Sequence, residues 1–173
     1  MKGMAVNGFR AGVAALALCL LPLVAQAQGA EVAFGGLQHD STLPVEVTAD
    51  QLRVDQADGT AVFTGGVVIG QGTMRLSADR VLVNYAAETG DSTGRIERLH
   101  ATGNVVLVNG AEAAESQEAV YSIDAGTVVM TGSVLLTQGQ NALSGERLVV
   151  DLARGTGTME GRVKTIFQSG GGE

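Results

Sequence analysis

Hydrophobic and polar residues alternate with a period of two over most of the chain, as in Val67/Ile69, Val81/Val83 and Val105/Leu107. The alternating segments run four to seven residues and are bounded by Gly, Asn, Asp, Ser or Thr. A period of two places alternate side chains on one face of a strand, and small polar residues between such segments are typical of turns. Since nothing after residue 27 keeps a period of 3.6 over three turns, the sequence predicts an all-β protein.

Two short phrases recur along the chain and divide it into about four repeats. The first places a Thr-Gly or Glu-Gly pair two residues before a valine, and its glycines are Gly65, Gly103, Gly132 and Gly161. The second, written "ADRVLVN" in its second copy, carries an acidic residue near its start: Asp50, Asp79, Glu118 and Glu146. Each series has one enlarged interval, which a single insertion around Ala86–Arg98 explains.

The repeat predicts how the strands follow one another. Glycine suits the positive φ of a tight turn or bulge, so we expect each glycine phrase to form a turn followed by a strand. We expect the acidic residues to cap turns, and one extra residue in the third copy to form a bulge. A repeat of about 29 residues is an architectural signature. The prediction is a meandering antiparallel sheet that curls on itself, with the insertion as a longer hairpin.

The first 27 residues have the pattern of a cleavable signal peptide. Lys2 and Arg10 give a positive segment before an apolar run, Ala11–Ala25. This run is shorter than the roughly 20 residues of a membrane span. We therefore prefer cleavage after Ala27 to an uncleaved anchor, and expect an exported protein. The predicted organisation is a signal peptide at 1–27, a flexible segment at 28–42, one β-domain at 43–167 and a disordered tail at 168–173.

The chain expected after cleavage has no cysteine, because Cys19 lies in the signal and follows Leu18, where a lipoprotein signal has a small residue. A disulfide framework and a thiol nucleophile are therefore excluded from it. Loss of Lys2 and Arg10 takes the net charge from −7 to −9. A chain this acidic does not hold nucleic acid or an anionic membrane surface by bulk electrostatics.

Candidate chemistry is sparse. No spacing around His39 or His100 favours a metal pair or a Ser-His-Asp triad. The oxygen-rich turns Val54–Thr60 and Gly90–Gly94 lack the known calcium-loop patterns, and Gly155–Gly161 lacks the Lys-Ser/Thr of a phosphate loop. We therefore predict that the protein is not an enzyme and has no cofactor or metal. The apolar alternation leaves two interpretations open, an ordinary core and a ligand channel lined by aliphatic side chains.

Two stretches carry a resemblance to a known family: "LPVEVTADQLRVD" at 43–55 and "AVFTGGVVIGQGTMRLSADRVLVN" at 61–84. They resemble the OstA-like family of lipopolysaccharide transport proteins, and the resemblance covers roughly Val45 to Ile166. It implies an open, V-shaped antiparallel β-jellyroll whose interior carries lipid acyl chains. The implied function is a periplasmic lipopolysaccharide carrier or bridge between the inner and outer membranes.

Two alternatives remain beside that function. One is an OstA-like envelope adaptor, similar to the membrane-anchored LptC, that binds protein partners without carrying lipid. The other is a secreted β-solenoid hydrolase, which is disfavoured because shorter parallel-coil repeats and clustered carboxylates are missing.

The resemblance also implies roles for particular residues. The implied lipid-facing positions are Val45, Val47, Phe63, Leu107, Tyr121 and Ile123. The N-terminal strand, Val45–Ala49, would contact LptC in the inner membrane. The last strands, Thr158–Phe167, would contact LptD in the outer membrane or the next copy of the chain, which gives head-to-tail self-association.

Overall fold

The computed structural model describes residues 30–33, 40, 42–86 and 94–167, and in these ranges the regular secondary structure is entirely β. The strands are β1 (Ala30–Ala33), β2 (Glu46–Thr48), β3 (Gln51–Asp55), β4 (Thr60–Gln71), β5 (Met74–Tyr85), β6 (Ile96–Asn109), β7 (Glu112–Ser122), β8 (Thr127–Gln138), β9 (Asn141–Asp151), β10 (Thr156–Glu160) and β11 (Lys164–Ile166). The all-β prediction is confirmed.

All the strands belong to one antiparallel sheet with the order β1-β10-β9-β8-β7-β6-β5-β4-β2, while β3 also pairs with β4 and β11 with β9. From β4 to β10 each strand pairs with the next one in the chain, so the sheet is the meander that the repeat predicts. The Ala86 N–H donates to the Arg95 carbonyl at 2.8 Å, which closes the connection between β5 and β6. The insertion therefore lies in a longer hairpin loop, of which residues 87–93 are outside the described part of the chain.

The first three copies of the glycine phrase form β-bulges, and the fourth lies at the bend between β10 and β11. The glycine and the residue after it both have positive φ: Gly65/Gly66, Gly103/Asn104, Gly132/Ser133 and Gly161/Arg162. The register between neighbouring strands shifts at the first three of these positions, so that two residues lie opposite one. The shifts occur at the same level in successive strand pairs, and they therefore form one continuous line across the sheet, here called the bulge line. A bulge bends a strand and increases its twist, so a line of bulges folds the whole sheet.

The side chain that lies against each phrase glycine explains why glycine is needed there. A Cβ atom on Gly103 would contact the Asp79 side chain at 3.0 Å or less, and one on Gly161 would lie 2.6 Å from Glu146 Cβ. Gly65 has the same relationship to Asp50. Glycine is thus required both by the positive φ and by the space that the facing side chain occupies.

Two sequence predictions about the second phrase were wrong. In its third copy the residue against the glycine is Gln117, whose Cβ lies 2.9 Å from where a Cβ of Gly132 would be, and not Glu118. Gln117 precedes its glycine by 15 residues, as Asp50 and Glu146 do, so that copy has no extra residue. The predicted role was also wrong, because these side chains face bulges within the ladder and do not cap turns.

The bulge line divides the sheet into two leaves. Leaf 1 contains the segments 67–71, 74–78, 105–109, 112–116, 134–138 and 141–145, with β2 and β11. Leaf 2 contains the segments 60–64, 80–85, 96–102, 118–122, 127–131 and 147–151, with β3, β10 and β1. These segments are five to seven residues long, so the short predicted strands are joined in pairs through the bulges.

The two leaves pack face to face. Leu107 and Leu136 of leaf 1 and Val128 and Leu148 of leaf 2 are all 0% exposed, and they belong to one hydrophobic cluster. The chain is therefore a single sheet folded along the bulge line around an apolar interior, as the predicted β-jellyroll requires.

The N-terminal segment contributes a strand to the sheet. Ala30–Ala33 forms β1, antiparallel to β10, with Ala30 opposite Met159 and Ala33 opposite Thr156. These four residues lie within the predicted flexible segment at 28–42. The predicted signal peptide at 1–27 and the predicted tail at 168–173 lie outside the described residues.

Candidate functional site

The six residues predicted to face lipid all lie at the apolar interior. Leu107 and Tyr121 are buried members of the hydrophobic cluster, at 0% and 2% exposed. The other four are partly buried and pack against the same cluster: Val45, Val47, Phe63 and Ile123. Tyr121 is the one aromatic side chain among the buried hydrophobic residues of the described chain, and the remainder are aliphatic or methionine. The fold thus brings the predicted positions together on one apolar surface that is mostly aliphatic.

Tyr121 joins the two leaves through a buried polar contact. Its Oη donates to Gln71 Oε1 at 2.8 Å, and Gln71 Nε2 donates to the Leu43 carbonyl at 2.8 Å. Burial raises the pKa of Tyr121 to about 12. The phenol is therefore neutral at neutral pH and remains a donor.

This contact lies far from the bulge line. Gln71 ends β4, five residues beyond Gly66, or about 17 Å at about 3.3 Å per residue. Tyr121 is the next-to-last residue of β7, close to the turn that follows Ser122. The hairpin turns of both leaves lie on this side of the interior, which we call the mouth. The two leaves are therefore joined by the backbone at the bulge line and by Tyr121 and Gln71 at the mouth.

A set of polar side chains ends the inward face of leaf 1 at the mouth. These residues, here called the polar row, are Gln71, Asn109, Glu112, Gln138 and Asn141. Three of them are buried although polar: Gln71 at 1% exposed, Asn109 at 2% and Glu112 at 5%. Each lies an even number of residues from the apolar inward-facing residues of its strand, and therefore on the same face. Val105, Leu107 and Asn109, for example, point to the same side of β6.

The polar row is partly connected by hydrogen bonds. Thr73 Oγ1 donates to Asn109 Oδ1 at 2.8 Å, and Gln138 Nε2 donates to Glu112 Oε1 at 2.6 Å. Glu112 Oε2 is buried and has no hydrogen-bond partner among the described residues. None of these residues is among the predicted site residues, although the sequence carries a signal in "VVIGQG", "VVLVNG" and "VLLTQG". In each of these an apolar alternation ends in an inward amide before a glycine turn.

The segments predicted to contact partners lie at the lateral edges of leaf 1. β2, within Val45–Ala49, pairs only with β4, and β11, within Thr158–Phe167, pairs only with β9, among the described residues. Ile166 is 53% exposed and Phe167 75%. The part of Thr158–Phe167 that belongs to β10 is not at an edge, because β1 pairs with it.

Other candidate chemistry has less support. In the described ranges no group of three or more His, Cys, Asp or Glu residues is placed to hold a metal ion. His100 Nε2 lies 3.6 Å from Glu118 Oε2 in a surface pair, whereas His39 is outside the described residues. Over the described residues the structure has no helix of the length and apolarity needed to cross a membrane.

An antiparallel sheet folded around an apolar interior defines the class of this protein as an all-β jellyroll. A family model described as "LptA/(LptD N-terminal domain) LPS transport protein" matches residues 46–156. The chain belongs to this family. The OstA-like resemblance predicted from the repeated phrases is thereby confirmed.

Individual relatives agree with that assignment. An uncharacterized protein of Rhizobium meliloti is 31% identical over 121 residues, which cover 68% of this chain and 65% of that protein. The lipopolysaccharide export system protein LptA of Escherichia coli K12 is 36% identical over 44 residues, 25% of this chain and 24% of LptA. The matched regions thus span about two thirds and about a quarter of these relatives.

A solved structure has the same fold. It is LptH from Pseudomonas aeruginosa, described as the LptA-homologous periplasmic component of the lipopolysaccharide transport device. Its TM-score is 0.66 at 21% sequence identity, over 75% of this chain and 98% of LptH.

Proposed function

We propose that this protein is a periplasmic carrier that shields the acyl chains of lipopolysaccharide between its two leaves during transport from the inner to the outer membrane. The observation that carries the proposal is the continuous, mostly aliphatic interior, to which both leaves contribute and at which the six lipid-facing candidates lie. Membership of a lipopolysaccharide transport family and the fold shared with periplasmic LptH support it.

The energetics explain why such an interior is needed. Exposing an acyl chain to water costs about 0.8 kcal/mol per CH₂ group, or about 10 kcal/mol for twelve carbons. An aliphatic lining offers many nearly equivalent positions, which favours sliding over tight fixation at one place.

Loading requires the leaves to separate. Val67, Leu107 and Val150 are 0% exposed, so the interior is filled by the protein's own side chains. The backbone connects the leaves along the bulge line, whereas side-chain contacts such as Tyr121 to Gln71 join them at the mouth. Separation at the mouth therefore breaks far fewer bonds than separation at the bulge line, and we place lipid entry there.

The edge strands provide the docking sites in this proposal. The edge at β2 would accept a strand of LptC, and the edge at β11 a strand of LptD or of the next copy of the chain. An edge strand has unpaired backbone groups that another chain can pair with by strand addition. The exposed side chains of Ile166 and Phe167 next to β11 would add apolar contact area.

The second candidate function is an envelope adaptor that binds partners at these edges and does not carry lipid. The closed interior, with its leaves in contact, favours it. The two functions differ in whether lipid reaches the interior.

Photo-crosslinking in cells separates them. A photoreactive residue at Val47 or Phe63 should capture lipopolysaccharide, while the same residue at the exposed Glu115 should not. Capture of protein partners alone from all three positions would favour the adaptor and contradict the carrier.

A further inference from the structure

The polar row contrasts with the interior that it borders. Along β4, β6 and β8 the inward residues are aliphatic until the last one, which is Gln71, Asn109 or Gln138. Burying polar groups is unfavourable unless each finds a hydrogen-bond partner. Gln71, Asn109 and Gln138 each have such a partner, in Tyr121, Thr73 and Glu112 respectively. The part of the row that hydrogen bonding within the described chain does not account for is therefore one oxygen of Glu112.

Glu112 is the least explained member of the row. Its side chain points to the same side as Ala114, a member of the hydrophobic cluster, so the carboxyl group lies on the inward face. Oε1 accepts from Gln138, whereas Oε2 is buried without a partner among the described residues. A carboxylate oxygen is only an acceptor, and a buried one without a donor is costly. A donor from outside the chain would satisfy this oxygen.

We propose that the polar row binds the polar part of the ligand where its acyl chains enter the interior, with Glu112 Oε2 accepting a hydrogen bond from it. This inference rests on the proposed function. The ligand chemistry it selects is an acylated sugar whose hydroxyl or amide N–H groups lie next to the acyl chains. Phosphate is excluded at this position, because a carboxylate repels an anion.

The position of the row agrees with such an amphiphile. Acyl chains between the leaves would lie beside Leu107 and Leu136, and the sugar would lie two residues further along the same strands, beside Asn109 and Gln138. The amides of the row can donate or accept, whereas Glu112 is selective for donors. Glu112 would therefore distinguish an acylated sugar from a lipid without hydroxyl or amide groups.

The test compares two ligands and three variants of the full mature chain. The ligands are purified lipid A and a dodecanoate ester without hydroxyl or amide groups, each in detergent micelles. Glu112→Met removes the carboxyl group at similar size, and Glu112→Gln replaces one oxygen by a donor. The matched control, Glu115→Gln, removes the same charge from the exposed face of the same strand. Circular dichroism and the Tm confirm that each variant is folded.

We expect both Glu112 variants to bind lipid A about ten- to a hundredfold more weakly, the range for one lost hydrogen bond to a charged group. They should bind the ester within about twofold of the wild type, and the control should bind both ligands normally. Unchanged affinity of folded Glu112 variants for lipid A would overturn the inference while leaving the carrier function intact. An equal loss for both ligands would also overturn it, since Glu112 would then only support the interior. Failure of the wild type to bind either ligand would overturn the carrier function itself.

Discussion

Tyr121 in leaf 2 donates a 2.8 Å hydrogen bond to Gln71 in leaf 1, across 50 positions of sequence and at the edge of the interior farthest from the bulge line. Gln71 in turn donates to the Leu43 carbonyl, just before β2. One buried glutamine thus connects both leaves and the start of the first edge strand of leaf 1. A change at the mouth is expected to reach the edge that is proposed to bind LptC.

Tyr121→Phe tests this connection. The substitution keeps the ring but leaves Gln71 Oε1 without the phenol, which should cost about 1–3 kcal/mol of unfolding free energy. Hydrogen exchange of the β2 amides should become faster, because Gln71 is less firmly held against Leu43. Denaturant unfolding and hydrogen-exchange mass spectrometry measure the two effects, with Tyr85→Phe as the matched control. Unchanged exchange in β2 would show that the mouth and the edge are independent.

The pH dependence of stability gives a second test of Tyr121. Its pKa is raised from 10.0 to about 12 in the folded state, so the folded state holds the proton more tightly than the unfolded state. The associated stability is fully present below about pH 10 and is lost as the pH rises from about 10 to 12, by at most about 1.4 kcal/mol per pH unit. The difference in unfolding free energy between wild type and Tyr121→Phe should therefore shrink over that interval. A constant difference would contradict the buried, hydrogen-bonded phenol.

Gly103→Ala tests the bulge line. The new methyl group would meet the Asp79 side chain, and the residue has φ of 79°. Gly110→Ala is the matched control, since Gly110 has φ of 59° but nothing within 4 Å of an added Cβ. We expect the control to lose about 1–2 kcal/mol from the backbone conformation alone, and Gly103→Ala to lose more. Adding Asp79→Ala should recover part of the excess, so a fully additive double-mutant cycle would contradict the contact.

Glu112→Met should change the stability of the protein little although it weakens lipid A binding. It removes a buried carboxyl group that has one unpartnered oxygen, which favours the folded state, but it also leaves Gln138 Nε2 without its acceptor, which opposes that gain. A Tm that does not fall, together with weaker binding, would show that the carboxyl group serves the ligand and not the fold. A clear fall in Tm would instead identify Glu112 as part of the structural core.

Several features of the fold could be predicted because their signals are local. The period of two in Val67/Ile69 and Val81/Val83 identifies strands wherever one face is buried, and the repeated glycines mark positions of positive φ. Gln117, which lies against Gly132 in the third copy, was missed because the prediction looked for an acidic residue at this position. The bulge requires only a side chain that fits against the glycine. β1 was missed because Ala30–Ala33 is short and pairs with residues more than 120 positions away.

The candidate site was only partly predictable for a related reason. The alternation shows that Leu107 and Asn109 share a face, but it does not show which segments face each other once the sheet folds. The contact between Tyr121 and Gln71 and the burial of Glu112 depend on that folding. They become visible only when both leaves are in place.

The proposed head-to-tail association of copies of the chain uses the edge strand β11. Ile166→Pro places a residue without an N–H in the edge strand and should weaken head-to-tail association by strand addition. Leu135→Lys, on an exposed position of leaf 1 away from the edge, is the control and should leave association unchanged. Sedimentation over a range of concentrations measures both, and normal association of Ile166→Pro would exclude β11 as the docking strand.

The central claim, that the interior carries lipid, is tested most directly by purifying the protein from its native envelope without detergent and measuring bound lipopolysaccharide. The carrier function predicts co-purifying lipopolysaccharide, and a charged residue in place of Leu107 in a folded variant should reduce it strongly. Protein that is folded, bound to its envelope partners and free of lipopolysaccharide would contradict the account.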